Sequence, residues 1–172
     1  MAILAAGHSG ITVGDLSQIN DTAAQYDMGR VVVDNKGNKF MYVNADATLA
    51  AGNAVTMDFT DATDNKNGSI EVIQPTTGTL SNFMGIAVGV ITAGNFGWIQ
   101  VSGWNQVAMT STTATAGDFL KVANASYAMV NDVAQGTVPS FPEATAFITT
   151  SVAGAQPAVG TVYIKGLFAD QG

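Results

Sequence analysis

Residues that could act as a nucleophile with a general base are scarce in this sequence. The sequence contains one histidine, His8, which lies in the run Gly7-His8-Ser9-Gly10. A nucleophile elbow needs the pattern G-x-S-x-G, but Ile11 stands where the last glycine would be. With no second histidine to serve as a base, a catalytic triad built on His8 or Ser9 is not expected.

The densest acidic group lies between residues 58 and 67. It contains Asp58, Asp61 and Asp64, followed by Asn65 and Asn67. Calcium takes several oxygen ligands from one loop, but an EF-hand loop spaces its acids two apart and ends in a glutamate. These acids are three apart, and aspartates in turns also bond to their own backbone. The spacing favours a solvated loop, and cation binding by the three carboxylates is left open.

The two glutamates do not form an evident catalytic pair. Nothing in the sequence brings Glu71 and Glu143 together across one cleft, as the paired acids of a glycosidase require. The phosphate-binding pattern G-x-x-x-x-G-K-[ST] and the dinucleotide fingerprint G-x-G-x-x-G are both absent. We therefore expect neither an enzyme nor a bound cofactor, and no metal site is assigned.

Three aromatic residues could contribute to binding. Trp98, Trp104 and Tyr127 could stack on sugar rings, but tryptophan also anchors cores and protein interfaces. Trp98 alternates with Ile99, so one of the two faces inward. The pattern favours a core or interface role, with Trp98 and Trp104 as interface candidates. A carbohydrate-binding or fibre/adhesin β-module remains the alternative function.

The charge of the chain limits its partners. Six Lys and Arg residues stand against thirteen Asp and Glu residues, which gives a net charge of −7. Phosphate neutralisation needs clustered cations, so no nucleic-acid partner is expected. The longest apolar run, Phe83–Ile91, is interrupted by glycines and is too short to cross a bilayer, so no membrane partner is expected. The first ten residues lack the basic start of a secretory signal.

The proportion of charged residues is low. Charged residues make up 11% of the chain, against an ordinary value of about 25%. Hydrophobic residues make up 47%, so part of the neutral surface is expected to be covered by other subunits.

Short β-branched and aromatic runs separated by Gly, Asn and Asp predict an all-β barrel or sandwich. One helix is predicted, over Leu16–Met28, with Asp15 as its cap. The predicted strands lie near Gly29–Val33, Lys39–Asn44, Ala54–Phe59, Ile70–Gln74, Met84–Ile91, Gly97–Ser102, Gln106–Met109, Phe119–Val122, Tyr127–Val130, Ala144–Thr149 and Thr161–Phe168.

The most informative stretch runs from Gly85 to Gly103, GIAVGVITAGNFGWIQVSG. It predicts a hairpin whose first strand is apolar on both faces, with Gly94 at positive φ in the turn. The same Ala-Gly-[Asn/Asp] step recurs at Gly52 and Gly117, which predicts one turn reused before several strands.

These motifs resemble a known family. The Gly85–Gly103 segment is similar to the G-[IV]-A-x-G…AG-x-x-G-W-[IV]-x-[VI]-x-G segment of small capsid decoration (cement) proteins of tailed bacteriophages. The likeness extends to the hairpin Met28–Val43, to Ala47–Gly52 and to Thr115–Leu120, which together span roughly residues 28–122.

The resemblance implies a structural virion protein on the capsid exterior. Such proteins bind the outer surface of an icosahedral shell, commonly as homotrimers, and cement neighbouring capsomers. The implied partners are the major capsid protein and further copies of this chain. The mechanism would be added interface area, with binding only to the assembled state.

The segment before the family-like region is expected to be a separate part of the chain. Residues 1–28 are expected to form an N-terminal arm outside the barrel core, and residues 29–172 an all-β decoration domain. The arm combines apolar residues with glycines and is expected to dock on a neighbouring subunit. Its interface candidates are Leu4, Ile11, Val13, Leu16 and Ile19.

Overall fold

A computed structural model describes residues 13–58, 70–77, 79, 83–110, 113–133, 146–148 and 158–164. The predicted all-β class is confirmed, since a closed five-stranded barrel and further strands account for nearly all of the regular structure. No helix among the described residues is long and apolar enough to cross a membrane. The elements are α1 (Val13–Leu16), β1 (Val31–Val33), β2 (Lys39–Ala45), β3 (Ala54–Met57), β4 (Glu71–Ile73), β5 (Phe83–Ala87), β6 (Phe96–Thr110), β7 (Phe119–Ala123), β8 (Ser126–Val133), β9 (Ala146–Ile148) and β10 (Ala158–Ile164).

The N-terminal half of the fold is a closed barrel. Its strands follow the order β2-β4-β3-β5-β6, and β6 pairs back onto β2. The β2–β4 pair is parallel, whereas the other four pairs are antiparallel. Apolar side chains that alternate along β2, among them Met41, Val43 and Ala45, fill the interior. We call this unit the first barrel.

The C-terminal half repeats the closure with different strands. The order is β6-β10-β9-β7-β8, and a parallel pairing of Thr110 with Met129 connects β8 back to β6. We call this unit the second ring. Its interior contains Leu120, Val162 and Ile164, and it shares a core with Phe83 and Ile86 of the first barrel. The two units are therefore packed on each other as well as joined through β6.

Strand β6 changes partners at a glycine. Residues 96–102 pair with β2, whereas residues 103–110 pair with β10. Gly103 has φ +97°, and a Cβ there would overlap Asn38. An L-residue is strained at that φ, so glycine is what the bend requires. The sequence predicted two separate strands here, at Gly97–Ser102 and Gln106–Met109, whereas the structure has one long bent strand.

The predicted reused turn is present three times. The glycine of each copy has positive φ, namely Gly52, Gly94 and Gly117 at +87°, +76° and +95°. In each copy the backbone N–H after the glycine donates to the carbonyl three residues earlier, at 2.9–3.1 Å. Local backbone geometry therefore explains the internal repeat, and the positive φ predicted for Gly94 is confirmed.

The predicted helix over Leu16–Met28 is wrong. The helix α1 is four residues long and ends at Leu16, where the prediction had it begin. Asp21 instead forms an isolated antiparallel bridge with Phe96, with backbone hydrogen bonds of 2.8 and 2.9 Å in both directions. Pairing with the start of β6 satisfies backbone groups that a helix would otherwise have paired internally.

The described part of the expected N-terminal arm packs on the first barrel. Leu16 is buried in a core cluster with Phe40, Tyr42, Val88 and Trp98. Ile19, Tyr26 and Met28 pack against the same cluster. The part of the segment that the structure describes, residues 13–28, therefore covers the outside of the first barrel within the same chain. Residues 1–12 lie outside the described residues.

Candidate functional site

The residues singled out for catalysis are not assembled in the described part of the chain. His8, Ser9, Asp61, Asp64 and Glu143 lie outside it. Asp58, directly after β3, and Glu71, on β4, are described and both are buried, and a 3.0 Å hydrogen bond runs from the Asp58 N–H to the Glu71 carbonyl. In these residue ranges no group of three or more His, Cys, Asp or Glu side chains could hold a metal ion.

Trp98 belongs to the core. It is 1% exposed, and its ring centroid lies 5.1 Å from that of Tyr42 and 5.5 Å from that of Tyr26. The Tyr42 hydroxyl donates to Asp21 Oδ2 at 2.8 Å and accepts from the Gln25 N–H at 3.3 Å. Burial raises the pKa of Tyr42 far above its ordinary value, and the hydrogen bond to Asp21 adds to the rise. Trp98 and Leu16 were both predicted as interface residues. They instead belong to the same core cluster within one chain.

Trp104 has the opposite environment. Its side chain is 52% exposed, although it lies only six residues after Trp98 on the same strand. It contacts Tyr163 of β10 edge to face, with centroids 5.5 Å apart and planes at 79°. Tyr127, the third residue of the predicted sugar platform, packs against the interior cluster of the first barrel. Burial raises the pKa of Tyr127, and the nearby Asp46 carboxylate adds to the rise.

Trp104 lies on an outward face of the second ring on which Trp104 and Val159 are exposed and the neighbouring residues are partly buried. Register places Trp104 opposite Tyr163, and Phe147 of β9 opposite both Tyr163 and Phe119. Outward positions alternate with buried ones along β7 and β10, and Val159 is 61% exposed. We define the Trp104 face by Trp104, Phe119, Val159, Thr161 and Tyr163.

A buried polar network holds Trp104 in place. Oδ1 of Asn38 accepts from the Trp104 N–H, and the Gln100 side-chain amide donates to the Trp104 carbonyl at 2.9 Å. Asn105 Nδ2 in turn donates to Gln100 Oε1 at 3.0 Å. The three amide side chains are all buried. Satisfied buried amides specify one geometry, so the bend at Gly103 presents Trp104 in a defined orientation.

The described surface carries few charged side chains. The exposed carboxylates are Asp15, Asp27 and Asp46, all on the N-terminal segment or on the connection after β2. Among the described residues of the second ring, Asp118, directly before β7, is buried, and Asp132 pairs with Lys121 at 3.1 Å. The described part of the second ring is therefore close to neutral, and in the first half of the chain the exposed acids are accompanied by the cations Arg30, Lys36 and Lys39.

Sequence reasoning missed most of the Trp104 face. Of the predicted interface residues, the Trp104 face includes Trp104 alone. Leu16 and Trp98 lie in the core and Ile19 packs against it, while Val13 is the first residue of α1. Leu4 and Ile11 lie outside the described residues. Val159, Thr161 and Tyr163 do alternate along β10, which is a signal of one shared strand face. That signal does not say which face is exposed, because neighbouring strands decide it.

Comparison with known proteins gives a fold but no family. No protein-family model matches the sequence, and no curated protein sequence matches it. Among solved structures, the chain is similar to the head fiber gp8.5 N base in bacteriophage phi29, with a TM-score of 0.50 and 13% sequence identity. The match covers 73% of this chain and 92% of that chain. The two proteins therefore share a fold over most of their length.

Proposed function

We propose that this chain is a structural protein of a bacteriophage virion, which binds the outer surface of an icosahedral capsid and cements neighbouring capsomers. The observation that carries the proposal is the fold shared with the N base of a phage head fiber, over 92% of that protein. The cement-protein resemblance of residues 85–103 supports the same class of function from the sequence alone.

The construction of the molecule suits a structural role. The first barrel and the second ring share β6 and a continuous core, so the chain is one braced unit. Closed rings also remove sheet edges that would otherwise pair without specificity. A braced unit with fixed surface residues loses little conformational entropy on binding, which favours attachment to a rigid lattice.

Stabilisation would follow from mass action. A protein that binds the assembled shell but not free capsomers adds its binding free energy to the assembled state. A standard contact buries about 800 Å² on each partner. Many such contacts around a shell oppose its disassembly without any chemical reaction.

The carbohydrate-binding alternative receives no support from the aromatic geometry. A sugar platform needs exposed rings that share a plane, whereas Trp98 is buried and Trp104 meets Tyr163 edge to face. Trp98, Trp104 and Tyr127 lie in three different environments. We do not propose this function.

The direct test is co-sedimentation with capsids that lack this chain, from the phage that encodes it. We expect saturable pelleting with assembled capsids and none with free capsomers of the same capsid protein. Gold-labelled antibody against the chain should decorate the outside of intact virions. Pelleting no greater than that of an unrelated acidic protein, together with unlabelled virions, would refute the proposal.

A further inference from the structure

We infer that residues 13–28 form a strap that opens from the first barrel as one unit while the barrel itself stays closed. The strap is defined by those residues. Its opening uncovers Trp98 and the residues around it on the outer face of the barrel. The inference concerns the isolated chain, so it stands or falls separately from the proposed function.

The first barrel closes without the strap. Its ring runs in the order β2-β4-β3-β5-β6, with β6 paired back onto β2, and contains no residue of the strap. The interior of the ring has a core cluster of its own, which includes Val43 and Val55. The strap shares a separate cluster with outward residues of the barrel, in which Leu16 packs with Val88 and Trp98. Parts of a protein with separate cores can open separately, with different free energies of opening.

The hydrogen bonds between the strap and the barrel lie near the surface. Asp21 forms a single backbone bridge with Phe96, in contrast to the longer pairings of the ring strands. The Asn20 side chain bonds to Thr92 and Asn95 at 2.9–3.0 Å, and these contacts are exposed. Water replaces exposed hydrogen bonds at a small net cost. Burial of apolar side chains is therefore the main force that holds the strap closed.

One buried polar group is better satisfied when the strap is open. The indole N–H of Trp98 is buried and has no hydrogen-bond acceptor among the described residues. Tyr26 of the strap lies against the Trp98 ring, with the two centroids 5.5 Å apart. A buried donor without an acceptor is unfavourable, and solvent supplies an acceptor once the strap lifts. The closed strap therefore carries a cost that its opening relieves.

The first test uses single introduced cysteines, because the chain has none of its own. Val88→Cys lies under the strap and Val55→Cys lies inside the ring, at positions that are 5% and 0% exposed. The rate of labelling by N-ethylmaleimide is measured on the full-length protein in urea below the unfolding transition. We expect Val88→Cys to react at least about tenfold faster than Val55→Cys, with a weaker urea dependence, because opening of the strap exposes less surface than unfolding does.

Hydrogen exchange shows whether the same unit opens in the protein without substitutions. The Phe96 N–H bonds to the Asp21 carbonyl, and the indole N–H of Trp98 is buried under the strap. The Ala87 N–H bonds to the Asn53 carbonyl next to β3 and reports on the ring. We expect the Phe96 and Trp98 protons to exchange through one common opening, with protection at least about tenfold lower than that of Ala87.

A third variant loosens the strap without changing its sequence. A Cβ at Gly89 would overlap the Ser17 carbonyl of the strap. Gly89→Ala should therefore raise the labelling rate of Val88→Cys at least about tenfold, whereas Val90→Ala, at the exposed neighbouring position, should not. Circular dichroism checks that each variant folds.

Three results would overturn the inference. The first is labelling of Val88→Cys and Val55→Cys at the same rate and with the same urea dependence, since the strap and the ring would then open as one unit. The second is exchange of the Trp98 indole proton only as slowly as that of the Ala87 amide. The third is a Val88→Cys labelling rate that Gly89→Ala leaves unchanged.

Discussion

The backbone N–H of Trp104 donates to the side-chain Oδ1 of Asn38 at 2.9 Å, across 66 residues of sequence. Asn38 Nδ2 donates to Asp34 Oδ2 at 2.8 Å, and all three residues lie where the β1–β2 hairpin meets the bend of β6. One amide side chain thereby connects the hairpin of the first barrel to the first outward residue of the second ring.

Asn38→Ala should lower the free energy of unfolding by about 1–3 kcal/mol, because it leaves the Trp104 N–H and the buried Asp34 carboxylate each short of one hydrogen bond. Urea unfolding measures the change. Asn35→Ala, at an exposed position of the same hairpin turn, is the matched control and should have little effect. Equal losses for the two variants would show that the Asn38 bridge adds no stability.

Gly94→Val should lower the free energy of unfolding by about 1–3 kcal/mol. Gly94 has φ +76° and no atom within 4 Å of its virtual Cβ, so the loss would arise from backbone strain and not from a clash. Gly94→Asn should cost less, because asparagine tolerates positive φ better than valine. Melting temperatures that do not differ between the two variants would argue against strain as the cause.

Tyr42→Phe should lower the free energy of unfolding by about 1–2 kcal/mol near neutral pH, because the hydroxyl bonds to Asp21 and Gln25 are lost. The variant should also change the pH dependence. The pKa of Tyr42 is raised from 10.0 in the folded protein, so above that pH the unfolded chain loses the proton first. The unfolded state then binds fewer protons than the folded state, and stability falls as pH rises.

Urea midpoints at about pH 8 and pH 11 test this sign, since the unfolded tyrosine titrates near pH 10. The wild-type protein should lose more stability between the two values than Tyr42→Phe does. Tyr127→Phe is the comparison, because burial also raises the pKa of Tyr127. An identical pH dependence in wild type and Tyr42→Phe would contradict the prediction.

Leu16→Ala should lower the free energy of unfolding by about 2–5 kcal/mol, because Leu16 is 1% exposed beside Trp98. Tryptophan emission should shift to the red if Trp98 gains contact with water. Gln18→Ala, at an exposed position of the same segment, should change neither quantity. Deletion of residues 1–20 removes Leu16 and should likewise destabilise the barrel.

The strands and turns could be predicted from sequence because their signals are local. Each predicted strand has a counterpart in the structure, from Lys39–Asn44 in β2 to Thr161–Phe168 in β10, although several boundaries differ. The three Ala-Gly-[Asn/Asp] turns were predictable for the same reason. A positive φ at glycine and a hydrogen bond across three residues depend on neighbours in sequence alone.

Burial of the two tryptophans was decided only by the tertiary structure. Trp98 and Trp104 lie on one strand, yet one is covered by the N-terminal segment and the other is 52% exposed. Between them β6 bends at Gly103 and exchanges β2 for β10. Alternation along a strand reports which residues share a face, whereas the strands and segments that pack on each face decide which one meets water. Those partners come from distant parts of the chain, and so the Trp104 face emerges only when both rings have closed.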